Sequence, residues 1–248
     1  ILDRERAINE ADKERIRANL LRAISHDLRT PLTSIIGSSD SFTENYAALS
    51  DQEKLDLVSS INEDSHWLLN MVENLLSITR IQGDTGRVRK EDELVEEVVA
   101  EAITRIKKRI PDIEIHVTAP DNILIIPMDP LLIEQVLMNL MENAFVHSET
   151  NRPVELQISE ESDTITFHVI DYGKGIDEQT LPLILKGEYH VPKTSDTHRG
   201  MGIGLSICNT IVQAHGGQIA AHNHAHGAEF LFTLPKGCLL YTSPSPRD

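Results

Sequence analysis

The chain has 248 residues, enough for one or two domains, and its 40% apolar content can supply a core although aromatics reach only 4%. Acids outnumber bases by 39 to 23, and the net charge of -16 argues against a nucleic-acid-binding surface. No apolar run approaches the roughly 20 residues of a membrane span, no leader peptide is read, and Cys208 and Cys238 form neither a disulfide framework nor a zinc knuckle, so a cytosolic, reduced protein is expected.

Residues 1 to 46 predict one long helix. Leu21, Ile24, Leu28 and Ile35 follow the 3,4 spacing of an apolar seam. His26 lies two residues from both Ile24 and Leu28, about 200° round the helix, and so points to solvent. Asp27 stands beside it, and Thr30, four residues on, shares its face. Pro31 removes a backbone donor and is expected to bend the helix near the histidine. Alone, His26 and Asp27 read as an ordinary surface pair. The alternative is a nucleophile that takes a phosphoryl group, and the rest of the chain has to decide between them. Ser50 with Glu53 forms a capping box that opens a second helix, whose seam of Leu57, Ile61, Leu68, Val72, Leu75 and Ile78 runs to Arg80. Two such helices form a hairpin with one exposed apolar stripe. Pairing with a second copy in a four-helix bundle would cover it, so a homodimer is expected; the alternative is packing on the chain's own second domain.

Gln82 to Gly86 reads as a linker, dividing a helical hairpin at 1–82 from a second domain at 83–237. A helix is predicted over 92–109 and short strands over 114–118 and 123–126. Asp129 followed by Pro130 marks a helix start, with the helix running to His147. Val154, Leu156 and Ile158, then Ile165, Phe167 and Val169, alternate with period two and predict neighbouring strands. A loop-rich stretch spans 177–200, a helix 202–215, and a final hairpin pairs 218–222 with 229–234. The fold class is therefore a helical hairpin followed by an α/β sandwich, a mixed sheet with helices on one face. Residues 238–248 lose all periodicity, resemble a translated cloning remnant and are excluded from the fold. The chain opens without Met inside a charged helical pattern, and a larger protein is expected upstream.

Three features of the second domain point to a nucleotide. Asn139 and Asn143 lie four apart on one helix, away from the buried face of Ile133, Val136, Leu137, Leu140 and Ala144. Uncharged amide oxygens suit a Mg²⁺ already held by phosphates and water; two solvated amides are the alternative. Asp171, at the end of an apolar strand, precedes Gly173 and Gly175, so a carboxylate able to accept from an exocyclic amine stands beside backbone that can approach a flat base. Gly200, Gly202 and Gly204 open a helix whose N–H groups can hold phosphate oxygens. Their spacing is not that of a dinucleotide-binding turn, and no βαβ unit follows. Ala214-His215-Gly216-Gly217 ends the helix with a glycine cap.

These motifs, in this order, resemble the transmitter core of bacterial sensor histidine kinases over residues 15 to 235. Ser25 to Leu32 resembles the phosphoacceptor box, Asn139 to Ala144 the N box, Asp171 to Ile176 the first glycine box and Gly200 to Leu205 the second. Arg199 to Cys208 and Ala214 to Gly217 look most like the osmosensitive potassium sensor kinases of the KdpD type. The resemblance implies a dimerisation and phosphotransfer hairpin joined to a Bergerat-type ATP-binding domain, a protein histidine kinase using ATP and Mg²⁺. It implies that His26 is the phosphoacceptor, that Asp27 orients it and takes its proton, and that Thr30 serves dephosphorylation of a partner. It places adenine on Asp171, Mg²⁺ on Asn143 and Asn139, and nucleotide on Gly173, Gly175, Ile176, Arg199, Gly200, Gly202, Gly204 and Leu205, under a lid at 177–200. The implied partner is the receiver domain of a response regulator, with membrane contact only through a sensor region upstream.

The chain departs from the family at Val146, where many members carry a lysine near the phosphates; Arg152, Lys186 and Lys193 are candidate replacements. The lid lacks the usual Phe-containing box, and Tyr189 stands as the hydrophobic latch. His222, His224 and His226 alternate, which in a strand puts them on one side; they read as solvated turn residues, or less simply as a Zn²⁺ or Cu²⁺ site. A binding-only relative and a nucleotide hydrolase are the competing readings, disfavoured by His26, Asp27 and Asn139.

Overall fold

The computed structural model describes residues 28–81, 88–185 and 203–237, in two compact units, Ile1–Leu76 and Ser77–Asp248. In the first unit, residues 28–45 are helical throughout (α1), Pro31 included. A turn over 46–49 follows, closed by the Ala48 and Leu49 amides on the Asn45 carbonyl. The predicted capping box forms. The Ser50 amide donates to Glu53 Oε2 at 2.8 Å and the Glu53 amide to Ser50 Oγ at 3.3 Å, opening α2 (Asp51–Ile81). Two of the helix's first orphan amides are thereby satisfied. Lys54 Nζ lies 4.6 Å over the Tyr46 ring, tying the turn to the second helix. The predicted seam residues Leu28, Ile35, Leu57, Ile61 and Leu68 are half-buried. Val72, expected in the seam, is exposed instead, together with Leu32 and Ile36 on α1 and Leu55, Val58 and Leu69 on α2, none of which the seam included.

After α2, whose residues from Ser77 on belong to the second unit, comes β1 (Glu91–Leu94), which pairs antiparallel with β3 (Ile125–Met128). The sequence predicts helix from Asp92; helix begins instead at Val95, as α3 (Val95–Arg109). The periodicity of Val95, Val98, Val99, Ala102 and Ile106 is that of a helix, but Leu94 to Glu91 are claimed by a strand more than thirty residues away. After α3 come β2 (Ile115–Thr118), β3, α4 (Pro130–Ser148), β4 (Val154–Glu160), β5 (Thr164–Ile170), the one-turn α5 (Leu181–Ile184), α6 (Ile203–Ala214), β6 (Ile219–His224) and β7 (Gly227–Pro235).

The main sheet has the order β2-β4-β5-β7-β6, with β2 parallel to β4 and every other pair antiparallel. Leu156 faces Val169 and Ile158 faces Phe167, as the alternation predicts. Phe167 in turn pairs with Phe232, their rings stacked with centroids 4.6 Å apart. That face is buried under α4 and α6, whereas the outward positions carry Glu155, Gln157, His168 and Glu229. α4 packs on the sheet on one side and on α3 and α6 on others, so its apolar residues are buried on most of its circumference. Its buried acid Glu134 meets Arg105 of α3, with Nη1 3.2 Å from Oε2. Burial pushes the Glu134 carboxyl above its ordinary value, and the guanidinium opposes that. Glu142, two turns further along α4, pairs with Arg109, one turn further along α3.

Candidate active site

The sequence features of the second domain converge on α4. Its start is fixed twice. Asp129 Oδ1 accepts from the Leu132 amide at 3.2 Å, with Pro130 in the first turn where its missing N–H costs nothing. The Asp129 amide donates to His215 Nε2 at 3.0 Å, and His215 Nδ1 donates to the Ile211 carbonyl at 2.8 Å. Those two bonds define the neutral tautomer, and burial holds the imidazole below its ordinary pKa. Lys90 Nζ caps the same turn at the His215 carbonyl, 2.7 Å away. The histidine after α6 thus locks the end of that helix to the start of α4.

Asn139 faces α6. Gln135 Nε2 donates to its Oδ1 at 3.0 Å, and its Nδ2 approaches Cys208 Sγ at 3.8 Å. Burial pushes the Cys208 thiol up to about 12, so it stays an uncharged packing group. A Cβ at Gly204 would lie 4.0 Å from Asn139 Nδ2, which places the described end of the second glycine box against the N box. Leu205, next in α6, is buried. Asn143, one turn on, is half-buried, and its amide has no hydrogen-bond partner among the described residues.

The C-terminal end of α4 meets the first glycine box. A Cβ at Gly173 would lie 2.4 Å from the Ser148 Cα and 2.6 Å from its carbonyl oxygen, so only glycine permits this approach. Asp171 is buried. Its Oδ1 accepts from the Gly173 amide at 2.9 Å and the Ala228 amide at 3.3 Å, and its own amide donates to the Ala228 carbonyl at 2.9 Å. Oδ2 has no partner among the described residues, leaving an acceptor held rigidly by its twin. Gly175 has φ +73, and Ile176 beyond it is half-buried.

Four residues complete this loop: Asn223, Gly227 and Ala228, which the sequence reading passed over, and His224, which it read as a turn residue or a metal ligand. Ala228 makes two bonds to Asp171, its amide donating to Oδ1 and its carbonyl accepting from the Asp171 amide. A Cβ at Gly227 would stand 2.2 Å from the Asp171 carbonyl oxygen. His224 Nε2 donates to that carbonyl at 2.9 Å. Asn223 accepts from the Ile176 amide at 2.8 Å and donates to its carbonyl at 2.6 Å. The one-sided row that a strand would make of the three histidines does not form: β6 ends at His224, and His226 lies in the turn that follows. Among the described residues no group of three or more His, Cys, Asp and Glu could hold a metal ion.

Of the remaining candidates, Thr30 is exposed on α1. Val146 is half-buried near the end of α4, and the Arg152 guanidinium lies 5.4 Å over the ring of Tyr172, beside Asp171. His26, Asp27, Lys186, Tyr189, Lys193, Arg199, Gly200 and Gly202 lie outside the described residues, as do the linker at 82–86 and the tail at 238–248. No helix among the described residues is long and apolar enough to cross a membrane.

Residues 16–84 match the family model of the His Kinase A (phospho-acceptor) domain, and residues 128–237 that of the histidine kinase-, DNA gyrase B- and HSP90-like ATPases. The chain is 42% identical to the sensor protein KdpD of Clostridium acetobutylicum over 94% of its length, and 34% identical to KdpD of Escherichia coli over the same share. It spans about a quarter of those two proteins, 26% of each. Among solved structures, the catalytic domain of histidine kinase ThkA is 26% identical, with a TM-score of 0.51 over 59% of this chain and 95% of that one. A structure of ThkA in complex with the response regulator protein TrrA shares the fold over 88% of this chain and 61% of that one, with a TM-score of 0.64 at 23% identity. The chain thus carries a match to the phospho-acceptor domain followed by a match to the histidine kinase-like ATPase domain, and it is similar along nearly its whole length to sensor kinases.

Proposed function

We propose that this chain transfers the γ-phosphoryl group of ATP to His26 and from there to an aspartate in the receiver domain of a response regulator. The observation that carries the reading is the Asp171 carboxylate. Oδ1 is fixed by two backbone amides, and Oδ2, without a partner among the described residues, can accept from the exocyclic amine of adenine at the edge of a glycine-relieved loop. Asn143, whose amide meets no partner among the described residues, is the Mg²⁺ ligand in this reading. Asn139, already bonded to Gln135, is the second and also packs the wall against α6. A Mg²⁺ there would neutralise the phosphates during transfer. Gly173, Gly175 and Ile176 present the loop to the base; Gly204 and Leu205, with Arg199, Gly200 and Gly202, present amides and a cation to the phosphate tail. Tyr189 closes over the nucleotide.

His26 attacks through a neutral ring nitrogen, forming the N–P bond as the bond to ADP breaks, and Asp27 takes the imidazole proton. Thr30, one turn away on the same face, serves the reverse chemistry by orienting water towards the regulator's acyl phosphate. The exposed apolar side chains Leu32, Ile36, Leu55, Val58, Leu69 and Val72 support a homodimer in which two hairpins form a four-helix bundle. The reaction is placed in the cytoplasm, with membrane contact left to sensor regions beyond this chain.

Incubation with γ-labelled ATP and Mg²⁺ tests the reading. Label lost in acid, kept in alkali and absent from His26→Gln supports it. Intact ATP binding without any label would favour a binding-only relative, a result pointing to Val146.

A further inference from the structure

The tip of the β6–β7 hairpin is joined to both ends of the Asp171–Ile176 loop. At one end, His224 Nε2 donates to the Asp171 carbonyl at 2.9 Å, and the His224 ring lies edge-on to Tyr172 with centroids 5.7 Å apart. At the other, Asn223 uses both halves of its amide. Oδ1 accepts from the Ile176 amide at 2.8 Å and Nδ2 donates to the Ile176 carbonyl at 2.6 Å. Only one orientation of the amide satisfies both bonds. Gly175, in the left-handed region at φ +73, lets the loop close up against this group: a Cβ there would stand 3.0 Å from Asn223 Oδ1.

These contacts are poorly placed to serve the core. Asn223 and the Ile176 amide and carbonyl it binds sit at the surface. Without Asn223, water can satisfy both backbone groups, so the fold loses little. What is lost is order in the loop. A loop that must be ordered by its ligand lowers the ligand's affinity by that cost.

We propose that Asn223, seconded by His224, is a positioning residue for base recognition: it fixes the backbone of Ile176 so that the loop meets the base in register with Asp171 Oδ2. This rests on the reading of Asp171–Ile176 as the adenine loop.

The test measures affinity for ATP and GTP by fluorescent-nucleotide displacement, together with melting of the nucleotide-free chain, on the whole chain and on Asn223→Ala, His224→Ala, Asp171→Asn and the double variant Asn223→Ala/Asp171→Asn. Asn223→Ala is expected to weaken ATP about tenfold, the worth of roughly one hydrogen bond. It should narrow the ATP-to-GTP preference, barely move melting, and add less than its own factor on top of Asp171→Asn. His224→Ala should act in the same direction and keeps the test open should Asn223→Ala fail to fold. If Asp171→Asn leaves ATP affinity untouched, the adenine reading itself fails and this inference with it. If Asp171→Asn weakens ATP but neither hairpin variant does, the inference alone is overturned. The same holds if Asn223→Ala lowers melting and weakens ATP and GTP equally, since that is the signature of a merely structural residue.

Discussion

Gly173→Ala should damage both the second unit and its nucleotide site. The added Cβ would sit 2.4 Å from the Ser148 Cα, 2.6 Å from its carbonyl oxygen and 2.9 Å from its carbonyl carbon, where ordinary contact begins at 3.4 Å. All three obstacles are backbone of the α4 terminus, so no side chain can swing aside. The loop must retreat by about 1 Å, at the cost of an overpacked core position. That retreat also stretches the bond from the Gly173 amide to Asp171 Oδ1. Together these cost about 3 kcal/mol, or a fall in Tm of roughly 6–12 °C for a domain of this size. ATP affinity should fall with it, because the carboxylate loses one of its two anchors. Calorimetric melting and ATP titration read the two effects. Gly37→Ala is the control: nothing lies within 4 Å of its Cβ position in a helix, so melting should hold or rise. Parental melting and parental ATP affinity in Gly173→Ala would refute the steric reasoning.

His215 sets a pH dependence. Its folded pKa lies below the ordinary value through burial, so above about pH 6.5 both states are neutral and it contributes no slope. Below that, the unfolded chain binds a proton that the fold refuses, and stability falls by up to about 1.4 kcal/mol per pH unit until the folded pKa is passed. The difference between parent and His215→Gln in denaturant titrations at several pH values isolates that slope, and parallel curves would contradict it. Asn143→Ala should leave melting unchanged, having no described partner to lose, and abolish the Mg²⁺ dependence of ATP affinity. Asn139→Ala, which removes an acceptor from buried Gln135, should lower melting as well. Phe232→Ala, opening a cavity under the Phe167 stack, should destabilise by about 4 kcal/mol in urea unfolding; a loss below about 1 kcal/mol would show that the sheet does not depend on this pair.

Local chemistry made much of this protein legible before its coordinates. Ser50 and Glu53, or Asp129 and Pro130, announce helix starts because the groups that satisfy the first amides are neighbours in sequence. Alternation in 154–158 and 165–169 betrays a sheet with one buried face. Asp171, Gly173 and Gly175 are close in sequence and act close in space. What escaped was what depends on distant partners. Glu91 to Leu94 became strand only through β3, and nothing local distinguishes them from the helix they precede. The roles of Asn223, His224 and Ala228 come from a hairpin that returns to Asp171 after more than fifty residues. An asparagine flanked by histidines at a turn carries no mark of this. Only a question about which groups satisfy the backbone of a functional loop would have led to it.

The central claim is that the site built on α4 serves His26. Its most direct test is fragmentation mass spectrometry under conditions that preserve phosphoramidates, after incubation of the whole chain with ATP and Mg²⁺, beside Asp171→Asn. The account predicts a single phosphoryl group on the His26 imidazole, strongly reduced when Asp171 is replaced. A phosphoryl group on Ser25 or Thr30 instead, or one on His26 that forms equally well without the Asp171 carboxylate, would contradict it.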